Sequence, residues 1–260
     1  MSARVEIVDG VATVTIGHAG GRAALDLDST RELAAAVAAA EADPATHVIL
    51  LRAEGTAFCV GGSIDFFADC GTMLHDRLLE FFEVLNPAIR LLHETSKITI
   101  AAVHGAVAGG GIGLMAAADV VIMARSTVVT LAYEPLAASP DAGVSWFLPR
   151  DIGYRRALAL YLSSERVDAR HAMELGLVTS VVEDDELDQH GRAFARRIAT
   201  GSPVAHATAK RLLRQATATA LDRQLEDERR AFADNARRPE FAQGVAAFLG
   251  SRGEGRHAGT

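Results

Sequence analysis

One stretch constrains the fold of this chain more than any other: residues 98–118, ITIAAVHGAVAGGGIGLMAAA. It begins with six apolar or β-capable residues, which predict a buried strand. Three consecutive glycines at 109–111 follow, and then a helix of small residues. Glycine lets the backbone approach a ligand, and the first N–H groups of a helix are free to bind negative charge. The same pattern is also typical of a tight turn with close packing.

The composition predicts a soluble cytoplasmic protein. A chain of 260 residues is long enough for one large domain, or for one domain with a helical appendix. The formal net charge of −7 and the lack of a basic block argue against nucleic acid or an anionic membrane as a partner. The two cysteines, Cys59 and Cys70, form no C-x-x-C pair, which favours a reducing compartment. No stretch reaches the roughly 20 apolar residues that a bilayer span needs.

Hydrophobic periodicity predicts an α/β core followed by a helical region. The predicted strands are 5–8, 11–16, 47–52, 98–103, 119–123 and 178–182. The predicted helices of the core are 25–42, 78–93, 155–162 and 169–175. The pattern from 185 to 249 is helical throughout. We therefore predict a core over residues 1–182 and a helical region over 183–260, which fold as one unit because no low-complexity linker separates them.

Local signals mark three of the element boundaries. Asp9-Gly10 between two β-rich runs predicts a hairpin. Ser29 with Glu32 fits a capping box at the start of a helix. The triplet 139–141, Ser-Pro-Asp, has the pattern of a helix start, with a cap, a proline and an acid in the first turn. The helix dipole would then lower the pKa of the Asp141 carboxyl, unless apolar neighbours desolvate it.

Several common chemical signatures are absent from the sequence. It contains no P-loop, no G-x-S-x-G nucleophile elbow and no H-E-x-x-H metal helix, and we predict no metal site. Gly111, Gly113 and Ala116 fit G-x-G-x-x-A, and Glu134 follows about 20 residues later, as in a dinucleotide-binding fingerprint. Glu134 lies in an irregular stretch rather than at the end of a second strand. A nucleotide-binding oxidoreductase is therefore the weaker interpretation.

Three ordered segments resemble the crotonase family, the enoyl-CoA hydratases and isomerases. They are AFCVGGSID at 57–65, the stretch from 96 to 124 around the three glycines, and SPDAGVSWFLPR with the residues up to 182. Residues 22–26, the hairpin and the helical end extend the resemblance over nearly all of 3–250. It implies a crotonase-like spiral of repeated strand–strand–helix units with a helical C-terminal trimerisation region. The implied assembly is a homotrimer or a dimer of trimers.

The resemblance also implies a site for an acyl-CoA thioester, in which CoA is part of the substrate and no separate cofactor is needed. The thioester oxygen would lie in an oxyanion hole made by the backbone N–H groups of Val60 and Gly110. The residues that would lie along the CoA ester are Ala24, Leu25, Gly61, Gly62 and Gly109. One oxyanion donor is typically worth about 3–4 kcal/mol in the transition state.

The acids of the family are only partly present. Hydration needs two carboxylates around one water. The first acidic position falls on Gly113, and the second falls on Tyr133, with Glu134 one residue late. The segment 139–150 resembles the ring-type enoyl-CoA isomerases of phenylacetate degradation. The resemblance places Asp141 at the position of the aspartate that these enzymes use as acid and base. The favoured activity is double-bond isomerisation through Asp141. A hydratase that uses Glu134, or a non-catalytic acyl-CoA binder, is the alternative.

Overall fold

The chain begins with the hairpin that Asp9-Gly10 predicts. The computed structural model describes residues 2–17, 21 and 23–254, with side chains up to residue 249. Strands β1 (Ser2–Val8) and β2 (Val11–Gly17) pair antiparallel, and both turn residues have positive φ, 50° at Asp9 and 78° at Gly10. This is the backbone that a two-residue hairpin turn of type I′ requires.

The remaining strands belong to two sheets. They are β3 (Val48–Ala53), β4 (Ala57–Cys59), β5 (Ile98–Val103), β6 (Ala106–Ala108), β7 (Val120–Ala124), β8 (Val128–Thr130), β9 (Val167–Asp168) and β10 (Ser180–Val182). The larger sheet has the order β1-β2-β3-β5-β7-β10 and is parallel except for the hairpin. The smaller sheet has the order β4-β6-β8-β9. The structure confirms the predicted strand-rich core. It also contains a second sheet that was not predicted, because the sequence of its short strands is typical of loops.

Each turn of the chain adds one strand to each sheet and then a helix or loop. β3, β5 and β7 are followed within a few residues by β4, β6 and β8. The helices of this part are α1 (Leu27–Ala42), α2 (Ile64–Cys70), α3 (Leu74–Glu94), α4 (Gly110–Ala116), α5 (Val144–Asp151), α6 (Tyr154–Ser163), α7 (Ala169–Leu175) and α8 (Leu187–Ala199). This repetition of strand, strand and helix confirms the α/β fold class and the spiral that the resemblance implied.

The four central strands of the larger sheet, β2, β3, β5 and β7, are buried on both faces, as parallel strands usually are. One face carries Ile49, Leu51 and Val103 in the main apolar cluster. The opposite face carries Leu50 and Ile100, which belong to a second cluster with Leu187, Ala195 and Ala199 of α8. Because α8 covers this face, the first compact unit extends past residue 182 to Thr200.

The second compact unit begins at Gly201 and is helical, as predicted. Its helices are α9 (Pro203–Gln215), α10 (Leu221–Ala236) and α11 (Pro239–Glu254). The side-chain amide of Gln224 on α10 donates to the Leu212 carbonyl of α9 at 3.0 Å. The prediction that the two parts fold as one unit, and that this region forms a trimer, stays a prediction. Among the described residues, no helix has the length and apolar character of a membrane span.

Two predicted helix starts are wrong. The cap of α1 is Asp26: its carboxylate accepts the Ser29 N–H at 2.8 Å, and the Ser29 hydroxyl accepts the Asp26 N–H at 2.9 Å. Glu32 instead accepts the Ala3 N–H at 2.9 Å. The triplet 139–141 begins no helix, because α5 starts three residues later, after Gly143 with φ 81°. Asp141 therefore lies in a loop rather than in a first helical turn.

The glycines of α4 allow the backbones to approach each other closely. A Cβ added at Gly111 would lie inside 3.0 Å of the Cys59 carbonyl oxygen on β4. A Cβ added at Gly113 would lie inside 3.0 Å of the carbonyl oxygen of Ala142. For these two positions the close-packing interpretation of the glycine run is right. Helix α4 is thereby held between β4 and the loop that carries Asp141.

We expect Gly111→Ala to lower the free energy of unfolding by about 3 kcal/mol or more, because the backbones at this contact would have to separate. Gly244→Ala is the matched control, since it is also helical and its added Cβ would meet nothing within 4 Å. It should be neutral or gain up to about 1 kcal/mol. Chemical denaturation of the two variants checks this. Equal effects would contradict the proposed contact.

Candidate active site

A cavity of about 790 Å³ opens where the loop after β4, the start of α4 and the loop after β8 meet. Five of the sequence-predicted site residues line it together with Asp141: Ala24, Val60, Gly62, Gly109 and Gly110. The further wall residues are Ser63, Ile64, Asp65, Phe67, Leu78, Phe82, Ala132, Tyr133, Leu136, Ala138 and Ser139. Segments far apart in the sequence therefore form a single concave site.

Leu25 does not line the cavity, although the sequence predicted it beside the CoA ester. Its side chain is fully buried in the main apolar cluster. Its backbone pairs with the loop after β4: the Leu25 N–H donates to the Gly61 carbonyl at 2.7 Å, and its carbonyl accepts the Ser63 N–H at 2.7 Å. Leu25 and Gly61 therefore shape the loop from behind, and neither lies in the cavity wall. Arg22, part of the same sequence segment, lies outside the described residues.

The assignment of Val60 to the oxyanion hole is wrong. Its N–H donates to the Ala23 carbonyl at 2.8 Å, so it is not free to bind a substrate oxygen. The next residue, Gly61, does not line the cavity, and the N–H of Ser63 donates to the Leu25 carbonyl. The Gly62 N–H meets no acceptor among the described residues. Gly62, which the sequence suggested only as a close neighbour of the thioester, is the available donor.

Gly110 offers the second free N–H. As the first residue of α4 it has no intrahelical acceptor. The loop with Gly62 lies directly against it, because a Cβ added at Gly61 would be 3.1 Å from the Gly110 nitrogen. Gly61 and Gly109 both have positive φ, 82° and 50°, which explains why glycine occupies these two positions. Two free backbone donors, at Gly62 and Gly110, therefore line one cavity.

Asp141 lies at the same end of the cavity. Its carboxylate oxygen Oδ1 is 3.0 Å from the position of a Cβ on Gly110. The hydroxyl of Tyr133 donates to this oxygen at 2.8 Å. Desolvation by burial is the largest influence and raises the pKa of the Asp141 carboxyl, while the Tyr133 hydrogen bond and the backbone N–H of Asp141 partly oppose it. The carboxyl is therefore a stronger base than a solvated aspartate.

Glu134 is not brought to this site. It lies in a single 3-10 turn, Glu134–Leu136, and its side chain is exposed outside the cavity wall. Its neighbour Tyr133 points inward and is buried. The structure therefore contradicts the placement of Glu134 as an alternative acid.

The first acidic position of the hydratases has no room for a side chain. This is Gly113, whose contact with the Ala142 carbonyl excludes even a methyl group. The second position holds Tyr133. Two carboxylates line the cavity, Asp141 beside the glycines and Asp65 at the exposed start of α2. Within the described residues, no group of three or more His, Cys, Asp or Glu side chains is placed to hold a metal ion.

A second cavity of about 710 Å³ adjoins the first. Asp141, Ser139 and Phe82 belong to the walls of both. Its far wall includes Trp146 and His93, whose rings meet edge to face at 5.0 Å. Asp141 therefore has open space on two sides.

Comparison with known proteins identifies the family. The family model described as enoyl-CoA hydratase/isomerase matches residues 6–255. The chain belongs to the enoyl-CoA hydratase/isomerase family. The dinucleotide-binding interpretation of Gly111, Gly113, Ala116 and Glu134 is therefore wrong, and the glycines instead form the packing contact and the cavity edge described above.

Named relatives of this crotonase-family chain include both hydratases and isomerases. A protein of Rhodobacter capsulatus named a probable enoyl-CoA hydratase is 34% identical over 96% of this chain and 95% of its own. The 1,2-epoxyphenylacetyl-CoA isomerase of Escherichia coli is 32% identical over 94% of this chain and 93% of its own. The crystal structure of an enoyl-CoA hydratase from Polaromonas superposes with a TM-score of 0.89 at 29% identity, covering 96% of this chain and 98% of that one.

Replacing one backbone amide by an ester tests the corrected oxyanion hole. Glycolic acid at position 62 replaces the N–H by an ester oxygen, and it also weakens the Gly61 carbonyl as the acceptor of the Leu25 N–H. We expect kcat to fall about 10²–10³-fold. The matched control is the α-hydroxy acid of valine at position 60, which removes the N–H bonded to Ala23. It should cost at least about 1 kcal/mol of stability and change kcat only a few-fold. If a steady-state assay showed the large loss of kcat for the substitution at position 60 and only a small change for that at position 62, Val60 would be the oxyanion donor.

Proposed function

We propose that this chain is an enoyl-CoA isomerase that moves a carbon–carbon double bond through a thioester enolate. One observation carries the proposal: a single half-buried carboxylate, Asp141, lies beside two free backbone N–H groups in one cavity. Isomerisation needs one group that removes and returns a proton, and a means of stabilising the charge between these steps. The cavity contains this set of groups.

In the proposed reaction the thioester carbonyl oxygen accepts hydrogen bonds from the N–H groups of Gly62 and Gly110. Asp141 removes a proton from C2 of a 3-enoyl-CoA, and the electron pair of that C–H bond enters the dienolate. The oxygen then carries the negative charge that the two N–H groups stabilise. Asp141 returns the proton to C4, which gives the conjugated 2-enoyl-CoA. No water is consumed, so a second carboxylate is not required.

Packing at Gly113 argues against the hydratase alternative. Hydration needs a base for the water and an acid for the α-carbon. The contact of Gly113 with Ala142 excludes a side chain at the first acidic position, and the second position is occupied by Tyr133. The names of the relatives support either activity. The residues of the cavity favour the isomerase.

The remaining parts of the proposal follow from the family resemblance and the composition. The substrate is an acyl-CoA thioester and brings its own CoA, so no further cofactor is needed. We propose a homotrimer or a dimer of trimers in the cytoplasm, with no nucleic-acid or membrane partner.

The first experiment follows a 3-enoyl-CoA in D2O with the wild type and with Asp141→Asn. The wild type should form the 2-enoyl-CoA, with deuterium incorporated whenever the proton on Asp141 exchanges with solvent before it is returned. Asp141→Asn should be slower by about 10²–10⁴-fold. Glu134→Gln is the matched control, because its carboxylate lies outside the cavity wall, and it should keep wild-type activity.

Three results would contradict the proposal. An Asp141→Asn variant as active as the wild type would remove the assigned base. Wild-type enzyme that adds water to a 2-enoyl-CoA faster than it isomerises a 3-enoyl-CoA would be a hydratase. Tight binding of both esters with no conversion and no deuterium exchange would identify a non-catalytic acyl-CoA binder.

A further inference from the structure

The Asp141 carboxylate accepts a hydrogen bond from the side chain of Tyr133. The Tyr133 hydroxyl donates to Oδ1 of Asp141 at 2.8 Å, and the backbone N–H of Asp141 approaches the same hydroxyl oxygen at 3.4 Å. The tyrosine ring is buried, which restricts the positions that its hydroxyl can reach. The hydroxyl therefore contacts both the side chain and the backbone of the aspartate.

The backbone around the pair is in an unusual conformation. Ala132, directly before Tyr133, has φ 56°, and Ala142, directly after Asp141, has φ 48°. Residues with a Cβ seldom adopt positive φ, and such conformations persist only where the surrounding structure enforces them. The Tyr133 carbonyl also accepts two N–H groups, from Leu136 at 3.0 Å and from Ala138 at 3.1 Å. The backbone conformation of residues 132–142 thus fixes the positions of both Tyr133 and Asp141.

We infer that Tyr133 is a positioning residue, which holds the Asp141 carboxylate beside Gly110 so that it faces the bound thioester. The inference rests on the proposed function, because it assigns a role to Tyr133 in the proton transfer by Asp141. Tyr133 stands where a hydratase would carry its second acid, and it supplies a hydrogen bond to the one base instead of a second proton-transfer group.

The hydrogen bond also affects the pH at which the Asp141 carboxyl ionises. Burial raises the pKa of the Asp141 carboxyl, and the Tyr133 hydroxyl lowers it by stabilising the charged form. Burial and the neighbouring carboxylate raise the pKa of the Tyr133 hydroxyl, so that it remains a donor. Without the hydroxyl, the pKa of Asp141 would rise further, and the base would be protonated over a wider pH range.

Other titratable groups face the two cavities that share Asp141. On β4, burial raises the pKa of the Cys59 thiol to about 12, so it stays neutral. The charged or titratable wall residues are Asp65 on α2 and Arg90, His93 and Glu94 on α3. The Tyr133 hydroxyl donates to the Asp141 carboxylate and thereby lowers the pKa of this carboxyl.

The test is Tyr133→Phe, which keeps the ring and removes the hydroxyl. The pKa of Asp141 is measured in the ligand-free protein by carboxyl ¹³C NMR, with the resonance identified by its loss in Asp141→Asn. We expect the pKa to rise by about 1–2 units, and the acid limb of the kcat/KM profile to move by the same amount. An unchanged pKa in Tyr133→Phe would overturn the inference.

Tyr161→Phe separates this role from a structural one. The Tyr161 hydroxyl donates to the Ala138 carbonyl at 3.1 Å, in the segment that joins Tyr133 to Asp141. It should leave the pKa of Asp141 unchanged; an equal rise in both variants would mean that Tyr133 acts only through the segment. Because the titration uses no substrate, it decides the role of Tyr133 even if the proposed reaction is wrong.

In an Asp141→Asn background, Tyr133→Phe should cause no further loss of activity, and a full additional loss would contradict the inference.

Discussion

The site depends on the backbone contacts that the glycines of α4 make with two carbonyl groups. Gly111 lies against Cys59, and Gly113 lies against Ala142, each at a distance that a Cβ would prevent. The first contact fixes the helix to the small sheet and hence to the loop of Gly62. The second fixes it to the loop of Asp141. The two free N–H groups and the carboxylate are thereby held in one place by main-chain contacts, with little dependence on flexible side chains.

The electrostatics of the site follow from this packing. Desolvation makes the carboxylate of Asp141 more basic, which proton abstraction from carbon requires, but it also favours the protonated form. The Tyr133 hydroxyl offsets part of this effect with one hydrogen bond. In the proposed reaction the negative charge passes from the carboxylate to the thioester oxygen. In this reaction the Tyr133 hydroxyl would stabilise the charge on Asp141, and the N–H groups of Gly62 and Gly110 would stabilise the charge on the thioester oxygen.

The parts of the fold that could be predicted from sequence are those determined by local patterns. The apolar run at 98–103 and the Asp9-Gly10 turn form the elements that their residues predict. The oxyanion donor was misplaced because the choice between Val60 and Gly62 depends on pairing with residues 23–25, which are distant in sequence. Tyr133 was missed for a similar reason. No periodicity or motif indicates that a loop will turn its hydroxyl towards an acid eight residues later.

The contact between Gly113 and Ala142 also limits how this scaffold can change during evolution. A second acid cannot be gained by a single substitution at residue 113, since the side chain would overlap the main chain of the opposite loop. Making room would require that loop to move, and Asp141 is the residue directly before Ala142. An ancestor or descendant that acquired a glutamate at residue 113 would displace the existing base in the same step. The one-acid and two-acid forms of the site therefore require different positions of the loop that carries Asp141 and Ala142.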